Sequence, residues 1–541
     1  MSRLTLVSRV FGLLRDKACS YYLGVGTDWS AFWMGFQFPN LFRRIFGEGA
    51  LNAVFLPVYK RMARDHGQPA ADLLARVVAT LLVMMFAVII IIGDSVLAPV
   101  IFSPHTLPAN RLAAGMIALM LPYSLLICLT AFFATVASAH ERFAAQSLAP
   151  VIVNILMILG AGLPVWLFTA AYPIRERIFW VAGAVLLAGV LQVGLMAVSL
   201  RRTGVRMGLS WNWQALGLRD VLAPMLPMII GFSAVQLNTF MDSQIAWWLS
   251  PDGHGGKMAF MFLAWHIHVP MLAGALGKLS VAQRIYLLPV GVFGVATATA
   301  VFPKMSEAAA MGESAKLKGL LQQALRKSLF ISVPTTIGMI LIAPLLITAI
   351  YFGGRVNAAD VARAVWAARW FCAGIWAFEL QMILLRVFYA LRDVRTPMRV
   401  AVAMVALNLT LNLSLVWFMQ EGGLAASTSI AAICQCAILL IILRRRLGVL
   451  GLSSLRSLLA KVLFCGGMML LVAGSVDDGL ARLSWLGPEH RLLGALVRLP
   501  ATLLAALLSY GLVARVLAIE ELRDVPVLRF LARHPRAQRP E

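Results

Sequence analysis

Four arginines stand in segments that are otherwise apolar enough to cross a membrane. Arg9 and Arg15 lie in SRVFGLLRDK, Arg43 lies in NLFRRIFGEGALNAVFLPVYKR, and Arg284 lies in QRIYLLPVGVFGVATATAVFPKM. A charge at the centre of a bilayer costs at least about 2.5–3.5 kcal/mol, so such residues usually face a protein interior or a water-filled cavity. Because a guanidinium is planar, permanently charged and able to bind two oxygen atoms at once, several of them around one cavity would suit a strongly anionic substrate such as a diphosphate.

Nearby carboxylates decide which of these arginines can be neutralised within its own helix. Arg9 and Asp16 are seven residues apart and share a helical face, and Arg15 is adjacent to Asp16. Arg284 has no carboxylate one turn away. The sequence leaves an alternative open, in which the arginines pair with carboxylates of other helices or extend toward the membrane interface.

The two neighbouring arginines of the second segment are predicted to differ in role. Arg44 and Glu48 are four residues apart and can pair on an α-helix, whereas Arg43 has no acidic residue three or four positions away. Neighbours on an α-helix point about 100° apart, so the two guanidinium groups face different directions. We therefore predict that Arg43 faces the substrate cavity and that Arg44 pairs with Glu48 to hold the helix in shape.

The composition predicts a membrane protein with many spans. Of the 541 residues, 60% are hydrophobic and 13% are charged, and the mean hydropathy is +0.83; a soluble chain carries about 25% charged residues. Apolar runs of about 20 residues predict transmembrane helices rather than barrel strands. We predict an all-α polytopic protein with about fourteen spans, near residues 4–24, 29–60, 74–103, 111–138, 146–170, 177–200, 221–249, 279–303, 328–352, 361–390, 398–419, 422–443, 457–475 and 492–517.

The net charge of +23 is concentrated in alternate loops, which argues against nucleic-acid binding. The positive-inside rule makes the basic side cytoplasmic and places both termini inside. Contact with anionic membrane lipids is the simplest explanation of these clusters. They comprise Lys60, Arg61 and Arg64; Arg201, Arg202 and Arg206; Lys304, Lys316 and Lys318; Arg392, Arg395 and Arg399; Arg444, Arg445 and Arg446; and Arg529, Arg533, Arg536 and Arg539.

An internal repeat links the second and eighth spans. RRIFGEGALNAVFLPVYKRM and QRIYLLPVGVFGVATATAVFPKM share an order of Arg-Ile-aromatic, glycines, Ala-Val-Phe, proline and a basic residue. Such spacing predicts two six-helix lobes in parallel pseudo-repeat, with a substrate site near the midplane. We predict an N-lobe over 1–205, a C-lobe over 206–446, two C-terminal helices over 447–520, and a basic cytoplasmic tail over 521–541.

SRVFGLLRD and AFWMGFQFPNLFRRIFGEGALNAVFLPVYKR resemble the N-terminal signature of the MurJ (MviN) family of lipid II flippases. That family belongs to the multidrug/oligosaccharidyl-lipid/polysaccharide exporter superfamily. The resemblance continues through QRIYLLPVGVFG, FYALRDVRTP and GLAASTS, and so covers nearly the whole chain. It implies two six-helix lobes around a cationic cavity, and two C-terminal helices that form a groove for the polyprenyl tail.

The resemblance also assigns roles to individual residues. Arg9, Arg15, Arg43 and Arg284 match the family's cavity arginines and are implied to hold the diphosphate, and supporting positions are matched by Asp16, Asp28, Arg44 and Glu48. The chain departs from the family in three places. Ser30 replaces a usual aspartate, for which Asp28 is an imperfect substitute; Leu287 replaces a frequent glutamate; and the external segment 250–278 is long, which we interpret as an interfacial hairpin.

Some members of the family resemble sodium-coupled transporters in their second lobe. The matching positions are Asp242, Asn408, Asn412 and Thr428, with the backbone carbonyl of Leu424. Oxygen ligands of this kind suit a hard cation such as sodium. Asn412 stands where a carboxylate would be expected, and polar contact between helices is the alternative role for these residues.

These observations together predict a lipid II flippase of the bacterial cytoplasmic membrane, monomeric, with no cofactor apart from sodium and no catalysed reaction. A flippase for another polyprenyl-diphosphate glycan is the alternative, because arginines recognise the phosphate rather than the sugar. A cation-coupled drug antiporter of the same superfamily would need a carboxylate-rich cavity. A membrane glycosyltransferase would need external acids for acid–base catalysis, and the external acids form no pair by sequence: Asp252, Asp360, Glu421 and Asp477.

Overall fold

The computed structural model describes residues 3–142, 144–168, 172–205, 207–262, 265–448, 452–487 and 490–524. Among these, the side chains of 3–6, 47–53, 226–227, 230–235, 260–262, 265–266, 452–454 and 524 also lie outside the description. The chain divides into two compact units. Unit 1 comprises residues 1–277 and 353–357, and unit 2 comprises residues 278–352 and 358–541.

Unit 1 is built from eight α-helices with a π-helical segment between the second and third. The helices are α1 (Arg3–Leu23), α2 (Thr27–Phe42), α3 (Leu51–Asp65), α4 (Gln68–Phe102), α5 (Pro108–Ala139), α6 (Ala144–Phe168), α7 (Ile174–Arg201) and α8 (Leu218–Trp248), and the π-helix spans Arg43–Ala50. Buried aromatic residues fill the core of this unit, with Phe55 and Phe132 in contact at 4.8 Å between ring centroids.

The external segment between α8 and α9 contains a short antiparallel hairpin. A 3-10 turn over Pro251–His254 is followed by β1 (Ala259–Phe262) and β2 (Trp265–His268), with Ala259 opposite His268. The hairpin predicted for this segment is therefore present, as paired strands. Asp252 anchors the segment to α2: its carboxylate accepts hydrogen bonds from the Thr27 hydroxyl at 2.6 Å and the Gly274 amide at 2.9 Å.

Unit 2 contains most of α9 and all of the later helices. These are α9 (Ala275–Pro289), α10 (Val295–Ala310), α11 (Ser314–Tyr351), α12 (Ala358–Ala373), α13 (Ile375–Ala390), α14 (Arg395–Met419), α15 (Glu421–Leu447), α16 (Leu452–Ala481) and α17 (Arg491–Val516). A second π-helix spans Val290–Gly294, and 3-10 turns span Ser484–Leu486 and Glu520–Asp524. The α16 and α17 helices pack on α11, so the C-terminal pair belongs to the core of this unit.

The predicted fold class is confirmed. Within the described residues, eleven helical segments are long and apolar enough to cross a membrane. The other predicted spans coincide with α1, with α2 to α3, and with α8. The domain boundary at 205/206 stays a prediction; contacts of α8 with α3 and the first π-helix place α8 in unit 1.

The two π-helices occupy the two copies of the sequence repeat. Arg43–Ala50 begins at the arginines of the second span, and Val290–Gly294 follows Arg284 in the eighth. A π-helix bonds residue i to residue i+5, is rare, and is frequent at functional sites. Its appearance in both copies supports the interpretation that these spans are related. It also changes the direction in which the side chains after it point from the helix axis.

Candidate substrate-binding site

Arg15 is held in place by residues of two helices of unit 1. Its Nε and Nη2 atoms donate to Asp16 Oδ1 at 3.0 and 2.8 Å, and its Nη1 atom donates to Asn154 Oδ1, on α6, at 2.8 Å. The Asn154 amide in turn donates to the Ser8 carbonyl at 3.3 Å. Asp16, which the sequence places on the face of Arg9, is thus bound by Arg15 in the structure.

The Arg15 side chain keeps donors for a further acceptor. A guanidinium has five N–H groups, and the three hydrogen bonds above occupy one on each nitrogen. Among the described residues, one N–H therefore remains without a partner on each terminal nitrogen, and such a pair can bind two phosphate oxygens. The Arg15 side chain is 16% exposed and Asp16 is 11% exposed, so the group is partly shielded but reachable.

Arg15 and Arg43 both act electrostatically on one residue of α5. The charges of both guanidinium groups act on the hydroxyl of Tyr123, a residue of α5 that is 1% exposed. The Tyr123 ring stacks on Phe36 of α2 at 6.2 Å. Two of the predicted arginines, from α1 and the first π-helix, are thus within electrostatic range of the same residue of α5. Arg9 is exposed and lies six residues before Arg15 on α1.

Asn154 and Tyr123 are functional candidates that sequence reasoning missed. Asn154 is the one strongly polar residue in the apolar core of its helix sequence, AAQSLAPVIVNILMILGAG, and is 5% exposed. A lone amide at that depth signals a partner, because a polar group in a membrane must be satisfied by another protein group. Tyr123 carried no comparable signal, since tyrosines in apolar helices often serve packing alone.

Arg44 has a described partner other than the predicted one. Its Nη1 atom donates to Gln236 Oε1, on α8, at 3.0 Å, and the side chain is exposed. The side chain of Glu48 lies outside the described residues. Both residues belong to the π-helix Arg43–Ala50, whose turn is wider than the α-helical turn from which the Arg44–Glu48 pair was predicted, and the pair itself stays a prediction.

Ser30 has a structural role at the position where the resemblance implies an aspartate. It is fully buried, donates to the Gly26 carbonyl at 3.1 Å and accepts from the Gly277 amide at 3.0 Å. A side chain at position 277 would stand 2.6 Å from the Val25 carbonyl oxygen, so glycine is required there. Asp28 lies two residues earlier, half-buried in the first turn of α2, and its substitution for the family's aspartate stays a prediction.

Arg284 lies in unit 2, half-buried on α9. Tyr286, two residues after Arg284, stacks on Phe371 and Phe378 with 4.8 and 5.2 Å between ring centroids. This stacking fixes this part of α9 against α12 and α13. Leu287, at the position of the family's frequent glutamate, is 45% exposed. Arg284 is therefore mounted on a helix anchored by aromatic stacking, without an acid at the next turn of its own helix.

Three of the four predicted sodium ligands form a hydrogen-bonded chain in unit 2. The Asn412 amide donates to Asn408 Oδ1 at 2.8 Å, the Asn408 amide donates to Thr428 Oγ1 at 3.4 Å, and Thr428 donates to the Leu424 carbonyl at 3.1 Å. Asn408 and Asn412 are fully buried. Asp242, the fourth predicted ligand, belongs to unit 1 and is 2% exposed. These contacts match the alternative role of polar contact between helices.

The external acids are bound by basic or backbone groups rather than by each other. Lys278 pairs with Asp360 at 3.0 Å, Arg498 pairs with Asp477 at 2.7 Å, and Arg363 pairs with Glu421. Groups of three or more His, Cys, Asp or Glu side chains with metal-binding geometry are absent from the part of the chain that the structure describes. These contacts therefore do not include a pair of carboxyl groups that could catalyse glycosyl transfer.

One basic cluster is partly neutralised within the protein. Burial acts to raise the pKa of Asp393, but hydrogen bonds from Thr396 and Arg446 outweigh it and lower that pKa to about 2. The Arg446 Nη1 atom donates to Asp393 Oδ2 at 2.5 Å, and the same guanidinium lies over the Phe388 ring at 5.7 Å. Arg446 therefore holds the α13–α14 turn and is less available to lipid headgroups.

Known proteins are similar to this chain over most of its length. The family described as lipid II flippase MurJ matches residues 19–480. A probable lipid II flippase MurJ of Vibrio cholerae is 27% identical over 451 residues, covering 81% of each chain. A lipid II flippase MurJ of Burkholderia cenocepacia is 26% identical over 524 residues, covering 95% of each chain.

Solved structures share the fold. A lipid II flippase MurJ in an inward closed conformation aligns with a TM-score of 0.72 at 21% identity, covering 95% of this chain and 98% of that chain. An inward-facing multidrug resistance transporter of the MATE family, within the MOP superfamily, aligns with a TM-score of 0.61 at 16% identity, covering 84% of this chain and 97% of that chain.

Proposed function

This chain belongs to the lipid II flippase MurJ family, and from that premise we propose how it moves its substrate. It is a multi-pass membrane protein that carries lipid II, a polyprenyl-diphosphate-linked precursor of peptidoglycan, from the inner to the outer leaflet of the cytoplasmic membrane. The observation that supports a diphosphate site is the ordered Arg15 guanidinium, with an N–H left on each terminal nitrogen and Arg43 acting on the same tyrosine.

In this proposal the arginines bind the diphosphate by charge and geometry. Asp16 and Asn154 orient Arg15 before substrate arrives, so little side-chain entropy is lost on binding. Arg43 supplies a second positive charge in unit 1. Arg9 and Arg284 are also proposed to bind the substrate, as the resemblance implies. No bond of the substrate is made or broken.

Transport is proposed to occur by alternating access. Parallel repeats of this kind exchange inward-open and outward-open states around a fixed site. The π-helices Arg43–Ala50 and Val290–Gly294 are suitable places for bending, because sharp kinks in helices occur at π-bulges, prolines and glycines. Both termini are proposed to be cytoplasmic, the protein is proposed to act as a monomer, and anionic lipids are proposed to contact its basic loops.

The rival functions are less well supported by the site. A drug antiporter for cations would need unpaired carboxylates at its substrate site, and Asp16, the acid beside Arg15, is bound by that arginine. A glycosyltransferase would need an external acid pair, whereas Asp360 and Glu421 pair with Lys278 and Arg363. A flippase for another polyprenyl-diphosphate glycan has the same phosphate chemistry. Complementation of a strain depleted of its lipid II flippase, with assay of the lipid-linked precursor that accumulates, separates the two flippase functions.

We expect Arg43→Ala to weaken binding of a diphosphate-bearing lipid by about 10–100-fold, because a hydrogen bond to a charged group contributes about 1.5–3 kcal/mol. Arg44→Ala is the matched control: it removes the same charge from the neighbouring residue, which is exposed and bonded to Gln236. Binding of purified lipid II to the detergent-solubilised variants is the measurement. A larger loss of affinity in Arg44→Ala than in Arg43→Ala would reverse the assignment.

The sodium site is proposed on the donor atoms that the second unit offers. The carbonyl oxygen of Leu424, the Thr428 hydroxyl and the Asn412 amide oxygen are hard ligands, but they are neutral, which suits weak binding. Sodium bound there would contribute a positive charge to the moving assembly, on which the inside-negative membrane potential acts.

We expect Asn412→Asp to increase the sodium-dependent rise in melting temperature, because an added carboxylate strengthens binding and any ligand that binds the folded state stabilises it. Thr428→Ala should reduce the rise, because it removes one of the oxygen ligands. Melting temperatures in sodium and in potassium at equal ionic strength give the comparison. A wild-type protein and an Asn412→Asp variant that are both indifferent to sodium would show that these residues serve only contact between helices.

A further inference from the structure

A carboxyl group in unit 2 is buried in a transmembrane segment, and one of its oxygen atoms has no hydrogen-bond partner among the described residues. Glu379 lies on α13 and is 1% exposed, and its Oε1 atom has no partner among the described residues. Its side chain faces the second π-helix: a methyl group built on Gly294 would stand 3.1 Å from Glu379 Cγ. Intramembrane acids are costly and are usually retained for function.

Contacts of α13 with its neighbours fix which residues lie at the height of Glu379. The backbone amide of Trp376 donates to the Thr336 hydroxyl oxygen on α11 at 3.2 Å. Gly374 lies against Ser429 on α15, and Gly294 lies against Glu379 itself. The guanidinium of Arg386, further along α13, lies over the Phe302 ring of α10 at 5.1 Å. The α10 and α15 helices therefore run in the same direction as α13, and these contacts identify which of their residues lie beside it.

The charged groups on the elements packed against α13, including Arg284 on α9, which is ten residues or about 15 Å before Gly294, lie away from this height. At 1.5 Å per residue, Arg386 is about 10 Å along α13, and Lys304 is about 15 Å beyond Gly294 on α10. On α11 the nearest charge is Lys327, which lies about 9 Å along the helix axis from the α11 residue opposite Glu379. The remaining charges on these elements are further still along their helices: Glu307 on α10; Lys316, Lys318 and Arg326 on α11; Asp360, Arg363 and Arg369 on α12; Arg395 and Arg399 on α14; and Glu421, Arg444, Arg445 and Arg446 on α15.

The uncharged titratable groups near this height are also few. Cys434 lies five residues after Ser429, as Glu379 lies five residues after Gly374, so the two share a level. Tyr286 reaches the neighbouring residue, Phe378, by ring stacking. Neither group carries a positive charge that could balance an ionised Glu379. An ionised carboxylate here would be desolvated without compensation, which is strongly unfavourable.

We propose that Glu379 binds a proton in the packed state of unit 2 and releases it when the second π-helix moves away from α13. The step is a simple exchange: the carboxylate takes one proton and becomes a neutral carboxylic acid that the apolar surroundings accept. Release requires water to reach the side chain, so protonation favours the packed state and ionisation favours an opened one. This proposal rests on the proposed function, because it supplies a proton to couple to lipid transport.

The first test needs no lipid substrate. We expect hydrogen–deuterium exchange of peptides spanning 286–300 to rise with pH in the purified wild-type protein, after correction for the intrinsic exchange rate. Glu379→Gln, which mimics the protonated acid and preserves its shape, should abolish that rise. Glu307→Gln is the matched control, because it removes an exposed carboxyl from the adjoining α10 and should leave the rise intact. Equal pH dependence in the wild type and Glu379→Gln would overturn the proposal.

The second test measures coupling in proteoliposomes that contain lipid II. With the membrane potential clamped, an imposed pH gradient should change the transport rate of the wild type and of Glu307→Gln but not that of Glu379→Gln, which should still bind lipid II. A gradient effect that persists in Glu379→Gln, or a wild-type rate that follows sodium and ignores protons, would overturn the proposal. A wild type that neither binds nor moves lipid II would instead count against the proposed function, and the exchange experiment would still decide on Glu379.

Discussion

Replacing Arg15 with alanine is expected to abolish lipid II transport and to leave a strain that depends on this protein unable to grow. The change removes the two terminal N–H groups that remain after Arg15 has bonded Asp16 and Asn154, and with them the bidentate contact to phosphate. It also leaves Asp16, which is 11% exposed, without its arginine, so a loss of stability will accompany the loss of transport.

A double variant separates these two effects. In Arg15→Ala/Asp16→Ala both partners of the ion pair are absent, so no uncompensated carboxylate remains and stability should largely return. Transport should stay lost, because the phosphate contact is still missing. Arg15→Lys keeps the charge but has no planar fork, and we expect only partial transport from it. Growth of the complemented strain and the melting temperature of each purified variant are the measurements. Restored growth in the double variant would show that Arg15 acts only by neutralising Asp16.

The helices were largely predictable because each span needs about 20 apolar residues, and such runs are visible in one dimension. The predicted span at 398–419 falls within α14, Arg395–Met419, and the span at 422–443 falls within α15, Glu421–Leu447. The predicted span at 361–390 is divided into α12 and α13 at Gly374, which lies against Ser429. The interruption comes from close packing with another helix, which no local pattern encodes.

The arrangement of the candidate site was less predictable, for two physical reasons. The partner of Arg15 on α6 is 139 positions away, so only the folded chain brings Asn154 to it. The side-chain directions of Arg43 and Arg44 were inferred from an α-helical turn, and the π-helix at these residues changes that turn. Residue types were sufficient to select the arginines, whereas their partners depend on contacts distant in sequence.

Replacing Arg363 with alanine is expected to give the largest loss of stability among single changes in unit 2. Arg363 pairs with Glu421, which is 1% exposed at the start of α15. The charges of Arg363, Asp360 and Glu421 all act on Lys278, which is 2% exposed, so the four residues form one network that joins α9, α12 and α15. Removing one member of a buried ion pair typically costs about 3–5 kcal/mol.

The matched control for this prediction is Arg369→Ala, on the same helix. Arg369 is exposed, and the change of an exposed charge is usually within about 0.5 kcal/mol. Thermal unfolding of the purified variants in detergent should therefore show a large drop in melting temperature for Arg363→Ala and a small one for Arg369→Ala. A pair of apolar replacements, Arg363→Met/Glu421→Met, should recover much of the stability, because a buried ion pair and a packed apolar pair are often close in free energy. Equal melting temperatures for Arg363→Ala and Arg369→Ala would mean that Glu421 gains another partner or water when Arg363 is lost, and that the network does not hold the three helices together.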